Sequence, residues 1–164
     1  EELASPVKGE VKVWNVNDLV KKEDFVVEII ERHVEDKKVN IKGAQIIVSG
    51  GYGVGSKENF NLLFQLADVL GAEVGGTRAA VDAGFIEHDR QIGQTGVTVR
   101  PKLYIACGIS GQIQHRAGMM ESSMIISINT DPNAPINNIA DYVIIGDYSD
   151  VVPKIINYYK KNSK

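Results

Sequence analysis

The sequence predicts an α/β fold built on a mainly parallel sheet. Two observations carry that reading. Short apolar runs alternate with segments of helical period, and neighbouring parallel strands need a helix-sized crossover between them. Glycines also gather directly after the apolar runs, where strand-to-helix turns belong. Glycine is in excess overall: 16 of 164 residues, or about 10% against roughly 7% in average proteins.

Phe25–Val34 (FVVEIIERHV) is β-branched and apolar and reads as a strand, followed by the charged bridge Glu35-Asp36-Lys37-Lys38. Gln45–Ser49 (QIIVS) is a short apolar run ending in glycines, the mark of a buried parallel strand. Lys57–Leu70 places Phe60, Leu63, Phe64, Ala67 and Leu70 on one helix face, and Gly71 suits its C-cap. Ala72–Val74 reads as a second strand, and Thr77 as the cap of a helix over Arg78–Ala83 that Gly84 ends. Lys102–Cys107 (KLYIAC) is another buried strand, running straight into Gly108-Ile109-Ser110-Gly111. A short helix over Ser110–Gly118 follows, then strands at Met124–Ile128 and Tyr142–Ile145, and a last helix capped by Ser149 and reaching Lys161. Residues 1–43 hold few glycines and the only Trp, whereas residues 44–164 hold nearly all the glycine. The expected division is therefore an N-terminal remnant over 1–43 and a ligand-binding domain over 44–164.

Composition narrows the function classes. Lys plus Arg is 18 and Asp plus Glu is 21, a net charge of −3, which argues against a general nucleic-acid binder. A single cysteine excludes an internal disulfide framework and a multi-cysteine metal site. Cys107 sits among apolar residues at a strand end and reads as a packed small residue rather than a nucleophile. The histidines, His33, His88 and His115, are too dispersed to suggest a metal site. No apolar run approaches the ~20 residues that span a bilayer, so no membrane insertion is expected. The N-terminus lacks the basic and apolar regions of a signal peptide and does not start with Met, so the chain reads as an intracellular fragment.

The glycine groups follow four strands: Gly50, Gly51, Gly53 and Gly55; Gly75 and Gly76; Gly108 and Gly111; and Gly146. One such turn is ordinary, but four in register favour a nucleotide at the strand ends over plain tight turns. Two standard fingerprints fail. In Gly51-Tyr52-Gly53-Val54-Gly55 the third glycine comes one position early for G-x-G-x-x-G, and the second strand ends in Gly75-Gly76-Thr77-Arg78 instead of an acidic residue. Gly50 and Gly55 have P-loop spacing, but Ser56-Lys57 stands in reversed order.

Polar residues at the strand ends remain. Arg78 opens a helix, where a cation opposes the macrodipole; a ligand partner explains it, and a surface arginine is the alternative. Gln91–Gly96 (QIGQTG), flanked by Arg90 and Arg100, is either a ligand loop or a plain surface loop. Ser110-Gly111-Gln112-Ile113-Gln114-His115 offers backbone N–H groups with Ser and Gln side chains, a set that suits a pyrophosphate. His115 reads either as facing the same cleft or as a structural histidine.

Taken together, SGGYGVGSKENF (Ser49–Phe60), GGTRAAVDAGF (Gly75–Phe85), QIGQTG, YIACGISGQIQHRAGM (Tyr104–Met119), INTDPNAPI (Ile128–Ile136) and ADYVIIGD (Ala140–Asp147) resemble the C-terminal FAD-binding domain of electron transfer flavoprotein α subunits. They cover most of residues 44–164 in the family's order. The resemblance implies a Rossmann-like three-layer sandwich with FAD extended across its strand ends. It implies Arg78 against the isoalloxazine, favouring a reduced, anionic flavin, with Thr77 in contact beside it. Ile92, Gly93, Gln94, Thr95 and Gly96 are implied as the loop at the flavin, with Gln94 and Thr95 near its N5 edge. Ser110, Gly111, Gln112, Ile113 and Gln114 are implied along the pyrophosphate or ribityl chain, and His115 near the C2 carbonyl, where its protonated form would stabilise an anionic semiquinone. Asn129 and Asp147 are implied to hold the adenosine half. Tyr52 stands where the family reads arginine near the phosphates, and tyrosine cannot neutralise charge, so weaker binding or another cation is expected.

The resemblance further implies electron carriage rather than catalysis with a substrate of its own, and no catalytic pair or nucleophile stands out in the sequence. Implied partners are a β subunit in a heterodimer, acyl-CoA or other dehydrogenases as electron donors, as in fatty acid β-oxidation, and no nucleic acid. The cytoplasm is preferred over the mitochondrial matrix as location. Phe25–Val34 is implied as the last strand of a missing N-terminal domain, expected to pair with another copy or to fold back. The alternative is an NAD(P)- or thiamine-cofactor-binding domain of an oxidoreductase or decarboxylase, against which the failed dinucleotide fingerprint counts.

Overall fold

A computed structural model describes residues 39–163. The strand expected over Phe25–Val34 lies outside the described residues. The described unit is a five-stranded sheet in the order β2-β1-β3-β4-β5, every neighbouring pair parallel. Its strands are β1 (Ile46–Gly50), β2 (Glu73–Gly76), β3 (Leu103–Cys107), β4 (Ile125–Asn129) and β5 (Tyr142–Ile145). The helices are α1 (Lys57–Leu70), α2 (Arg78–Asp82), α3 (Ile113–Arg116) and α4 (Tyr148–Asn162). The layered α/β arrangement is the expected one.

Local chemistry explains most boundaries. Ser56 caps α1 by accepting from Asn59 N at 3.2 Å, and Gly71 ends it in the left-handed region at φ 65°. The buried arc of α1 is Phe60, Leu63, Leu66 and Ala67. Phe64, expected in that arc, lies just beyond its edge and is exposed, with the Arg90 guanidinium 5.3 Å from its ring centre. Strand β2 runs on through Gly75 and Gly76 because Ile92 and Ile86 occupy the space that side chains there would take. The last helix is capped by Asp147 rather than Ser149: its Oδ1 accepts from Ser149 N at 2.8 Å and Ser149 Oγ at 2.7 Å. The helix expected over Ser110–Gly118 shrinks to α3, because Gly108 and Gly111 hold φ of 59° and 83° and keep the segment before it extended.

Alternation along each strand sends side chains to two different covers. One face carries Val48, Val74, Ile105, Cys107 and Ile128 beneath Phe60, Leu63, Leu66, Val152 and Ile156 of α1 and α4. Cys107 is fully buried there, and burial pushes its thiol up to about 12, which removes it as a nucleophile. The opposite face carries Ile47, Tyr104, Ala106 and Ile125, with Ile41, Ile92, Val99, Ile109, Met119 and Ile136 packed on them from turns and loops. The fully buried hydroxyls of Ser49 and Ser127 share this face. Among the described residues, no helix is long and apolar enough to cross a membrane.

Candidate functional site

The chain leaves β1 toward β2 on one side, while β3, β4 and β5 add on the other. The β1/β3 boundary is therefore the switch point of the sheet, where loops diverge and leave a crevice at the strand ends. Glycine makes the divergence possible: a Cβ on Gly51 would strike the Gly108 carbonyl oxygen. The two loops are stitched together by Gly51 N to Cys107 O at 2.9 Å and Gly53 N to Gly108 O at 3.2 Å. Above them opens a cavity of about 750 Å³, inside the range of small-molecule and cofactor sites.

Several elements deliver polar groups to this cavity. Thr77 caps α2 by accepting from Ala80 N at 3.3 Å, which leaves its hydroxyl proton free. Arg78 follows at the mouth, exposed, with Nε 3.4 Å from Asp82 one turn on. The loop from Gln91 to Val97 is braced from within and by α3. Gly93 N donates to Val97 O at 3.2 Å, and Gln94 N to Gln114 O at 2.8 Å. The buried Gln91 donates its amide to Thr95 Oγ1 at 2.9 Å, so the Thr95 hydroxyl proton is left to point elsewhere. On the facing loop, the N–H groups of Ser110, Gly111 and Gln112 find no acceptor among the described residues.

His115 closes one wall and is nearly buried, 7% exposed. Its Nδ1 lies 3.0 Å from the Ile92 carbonyl and its Nε2 2.9 Å from the Tyr104 hydroxyl. Burial lowers its pKa to about 4, partly offset by the Ile92 hydrogen bond, so it is neutral at ordinary pH. At the far end, Asn129 donates Nδ2 to Ile109 O at 2.8 Å and accepts from Asp131 N at 3.0 Å. Hydrogen bonds from the Ser149 backbone and side chain hold the Asp147 carboxyl below the usual range.

Residues 40–120 match the family described as the electron transfer flavoprotein FAD-binding domain. The chain belongs to the electron transfer flavoprotein α-subunit family. It is 56% identical over 154 residues to Protein FixB of Clostridium saccharobutylicum, covering 94% of this chain and 44% of that protein. It is 54% identical over 151 residues to the electron transfer flavoprotein subunit alpha of Thermoanaerobacterium thermosaccharolyticum, covering 92% of this chain and 46% of the relative. With the mitochondrial subunit alpha of Dictyostelium discoideum it shares 44% over 167 residues, 94% of this chain and 45% of the relative. The chain thus spans less than half the length of these relatives.

Most of the positions that the electron transfer flavoprotein motifs point to meet around the cavity. Tyr52, Thr77, Arg78, Ile92, Gly93, Gln94, Thr95, Ser110, Gly111, Gln112, Gln114, His115, Asn129 and Asp147 all line it. Gly96 and Ile113 are not among its lining residues. Gly96 lacks a side chain because the Gln91 carbonyl occupies that space, and Ile113 is 71% exposed. Tyr52 is exposed at the rim, its ring stacked on Phe85 with centres 5.7 Å apart. The lining also includes Ala79, Thr130, Asp131 and Tyr148, which sequence reasoning did not single out as site residues. Tyr148 donates to Val54 O at 2.9 Å and ties the start of α4 to the loop after β1. Its only sequence signal was its place beside Gly146 and Asp147 at a strand end.

Proposed function

We propose that the cavity binds FAD and that the whole protein, with a β subunit, carries electrons from dehydrogenases to a redox acceptor. The observation that carries this reading is the meeting of three separate segments, Thr77-Arg78, Gln91–Thr95 and Ser110–His115, at one switch-point crevice. The residues suit the cofactor's size and chemistry: a long glycine-floored trough, N–H groups without acceptors for phosphate oxygens, and a cation at the mouth. FAD supplies the reversible uptake and release of electrons, and the chain supplies binding and electrostatics. In this reading Arg78 and Thr95 face the ring system, Ser110 and Gln114 the middle of the cofactor, and Asn129 and Asp147 the adenosine end. Acyl-CoA dehydrogenases of fatty acid oxidation are donors that fit the family. The bacterial relatives favour the cytoplasm over the mitochondrial matrix. A division near residue 43, between an N-terminal segment and the cofactor-binding domain, also belongs to this reading.

Among the described residues lining the cavity, Arg78 is the one permanent cation, since Tyr52 is uncharged. FAD titrated into the purified protein should bind one per chain, with a flavin spectrum that survives gel filtration. A protein that ignores FAD but binds NADH overturns the reading. Tyr52→Arg should tighten FAD binding about tenfold, the effect of roughly 1.4 kcal/mol from one added charge-assisted contact. An unchanged affinity removes Tyr52 from the phosphate region.

A further inference from the structure

Gln91 is not among the residues that line the cavity, yet its side chain holds one that is. Its backbone is anchored at the end of the sheet. Gln91 N donates to His88 O at 3.1 Å, and Gln91 O accepts from Val97 N at 2.8 Å. The next N–H, that of Ile92, reaches Gly76 O at the end of β2 at 2.9 Å. Gln91 is buried, only 3% exposed, and its Nε2 stands 2.9 Å from Thr95 Oγ1. Thr95 is exposed, on the part of the loop that lines the cavity. A buried, sheet-anchored amide thus steadies a hydroxyl that would otherwise turn freely in water. Glycine leaves room for this: a Cβ on Gly96 would strike the Gln91 carbonyl and come within 3.0 Å of Gln91 Cγ.

The direction of the bond matters more than its presence. A threonine hydroxyl has one proton to give and two lone pairs. Gln91 Nε2 occupies a lone pair of Thr95, and no acceptor among the described residues takes the Thr95 proton. With the amide turned over, Gln91 Oε1 would take that proton and the cavity would meet only lone pairs. A donor fixed in advance needs no reorganisation when an acceptor arrives, whereas a free rotor loses entropy.

We propose that Gln91 is a positioning residue: it fixes Thr95 as a hydrogen-bond donor to a ligand acceptor in the cavity, and Gly96 keeps the space that this requires. That the acceptor is a flavin ring nitrogen rests on the function proposed above. Gln91 acts through Thr95 and touches no ligand itself.

The first test needs no cofactor. In the NMR spectrum of the cofactor-free protein, a Gln91 Nε2 proton should be protected from solvent exchange by its bond to Thr95. Thr95→Val removes the acceptor and should speed that exchange about fivefold, what the loss of one net hydrogen bond implies. Thr95→Ser, which keeps the hydroxyl, should restore the protection. Equal exchange in Thr95→Val and the unaltered protein overturns the proposal, because the amide then does not donate to Thr95.

The second test compares FAD with 5-deaza-FAD, in which C–H replaces the central ring nitrogen N5. The unaltered protein should prefer FAD about fivefold, the worth of one oriented hydrogen bond. Gln91→Met fills similar space but cannot donate, and should cut the preference to about twofold or less. A merely structural loss would weaken both flavins alike and leave the preference standing. Thr95→Val should abolish the preference, and adding Gln91→Met to it should change nothing further. A preference untouched by Gln91→Met, or a Gln91→Met effect on it that persists beside Thr95→Val, overturns the proposal. Equal binding of both flavins by the unaltered protein overturns it too. Should neither flavin bind while the exchange results hold, the positioning of Thr95 stands and the FAD reading falls.

Discussion

On one face of the sheet, α1 and α4 press Phe60, Leu63, Leu66, Val152 and Ile156 onto Val48, Ile105 and Ile128. On the other, Ile41, Ile92, Val99, Ile109 and Ile136 arrive from turns and loops. Long helices satisfy their own backbone, so the first cover needs only apolar side chains. Irregular segments do not, and the second cover is braced by buried polar groups. Ser127 donates to Asn137 Oδ1 at 2.8 Å, Gln91 holds Thr95, and His115 takes the Ile92 carbonyl. The difference teaches where recognition was placed. The candidate site draws on the loop-covered side, whose backbone and polar groups are not all consumed by regular structure.

The strongest way to break this comparison is to damage the helix-covered face alone. Phe60→Ala removes a fully buried ring from that core and should cost about 3–5 kcal/mol in urea unfolding. Under native conditions the NMR signals of the His115 ring should stay where they were. A large shift there would show that the two covers are one mechanical unit.

The loop-covered face should instead betray itself by pH. Folding lowers the His115 pKa from 6.5 to about 4, so as pH falls the unfolded chain takes up this proton first. Stability present above pH 6.5 is then lost progressively down to about pH 4, by about 3 kcal/mol in the cofactor-free protein. His115→Gln should flatten that part of the stability profile. Equal pH profiles for the two proteins would mean that His115 is not held neutral by folding.

The smallest effect on stability should come from the cavity mouth. Arg78 and its partner Asp82 are largely exposed, at 67% and 65%, so Arg78→Ala should change unfolding free energy by no more than about 0.5 kcal/mol. FAD affinity should still fall about tenfold or more, a separation of binding from folding read by calorimetry beside denaturation. Parallel losses in both would place Arg78 among the structural residues.

The helix-covered face was largely legible in the sequence, because its signals are local. The apolar spacing and Gly71 bound α1 correctly, and Thr77 capped α2 as read. Phe64 was misplaced because a helical arc read from sequence has no sharp edge, and a nearby arginine made exposure tolerable. Asp147 took the cap assigned to Ser149 because both residue types can cap, and spacing alone could not choose between them. The site's floor was legible as glycine groups, and its rim as short polar motifs. Its wiring was not. Tyr104 and His115, and Tyr148 and Val54, meet only after the sheet has assembled, and no local pattern encodes such pairs. Gln91 stood inside a motif, yet its bracing of Thr95 emerged only from the geometry.

Strand order has a further consequence, in the timing of assembly. Ile46 of β1 is hydrogen-bonded beside Leu103 of β3, with α1, β2 and α2 all lying between them in the chain. Pairings so distant in sequence are reached late and slowly, because the intervening loop must be closed before any contact rewards it. The crevice opens where the loops leaving those two strands diverge, so it cannot exist until β3 has been synthesised and docked. A cofactor that fits this crevice therefore recognises only chains whose longest-range pairing is complete, and its capture would act as a latch on finished molecules.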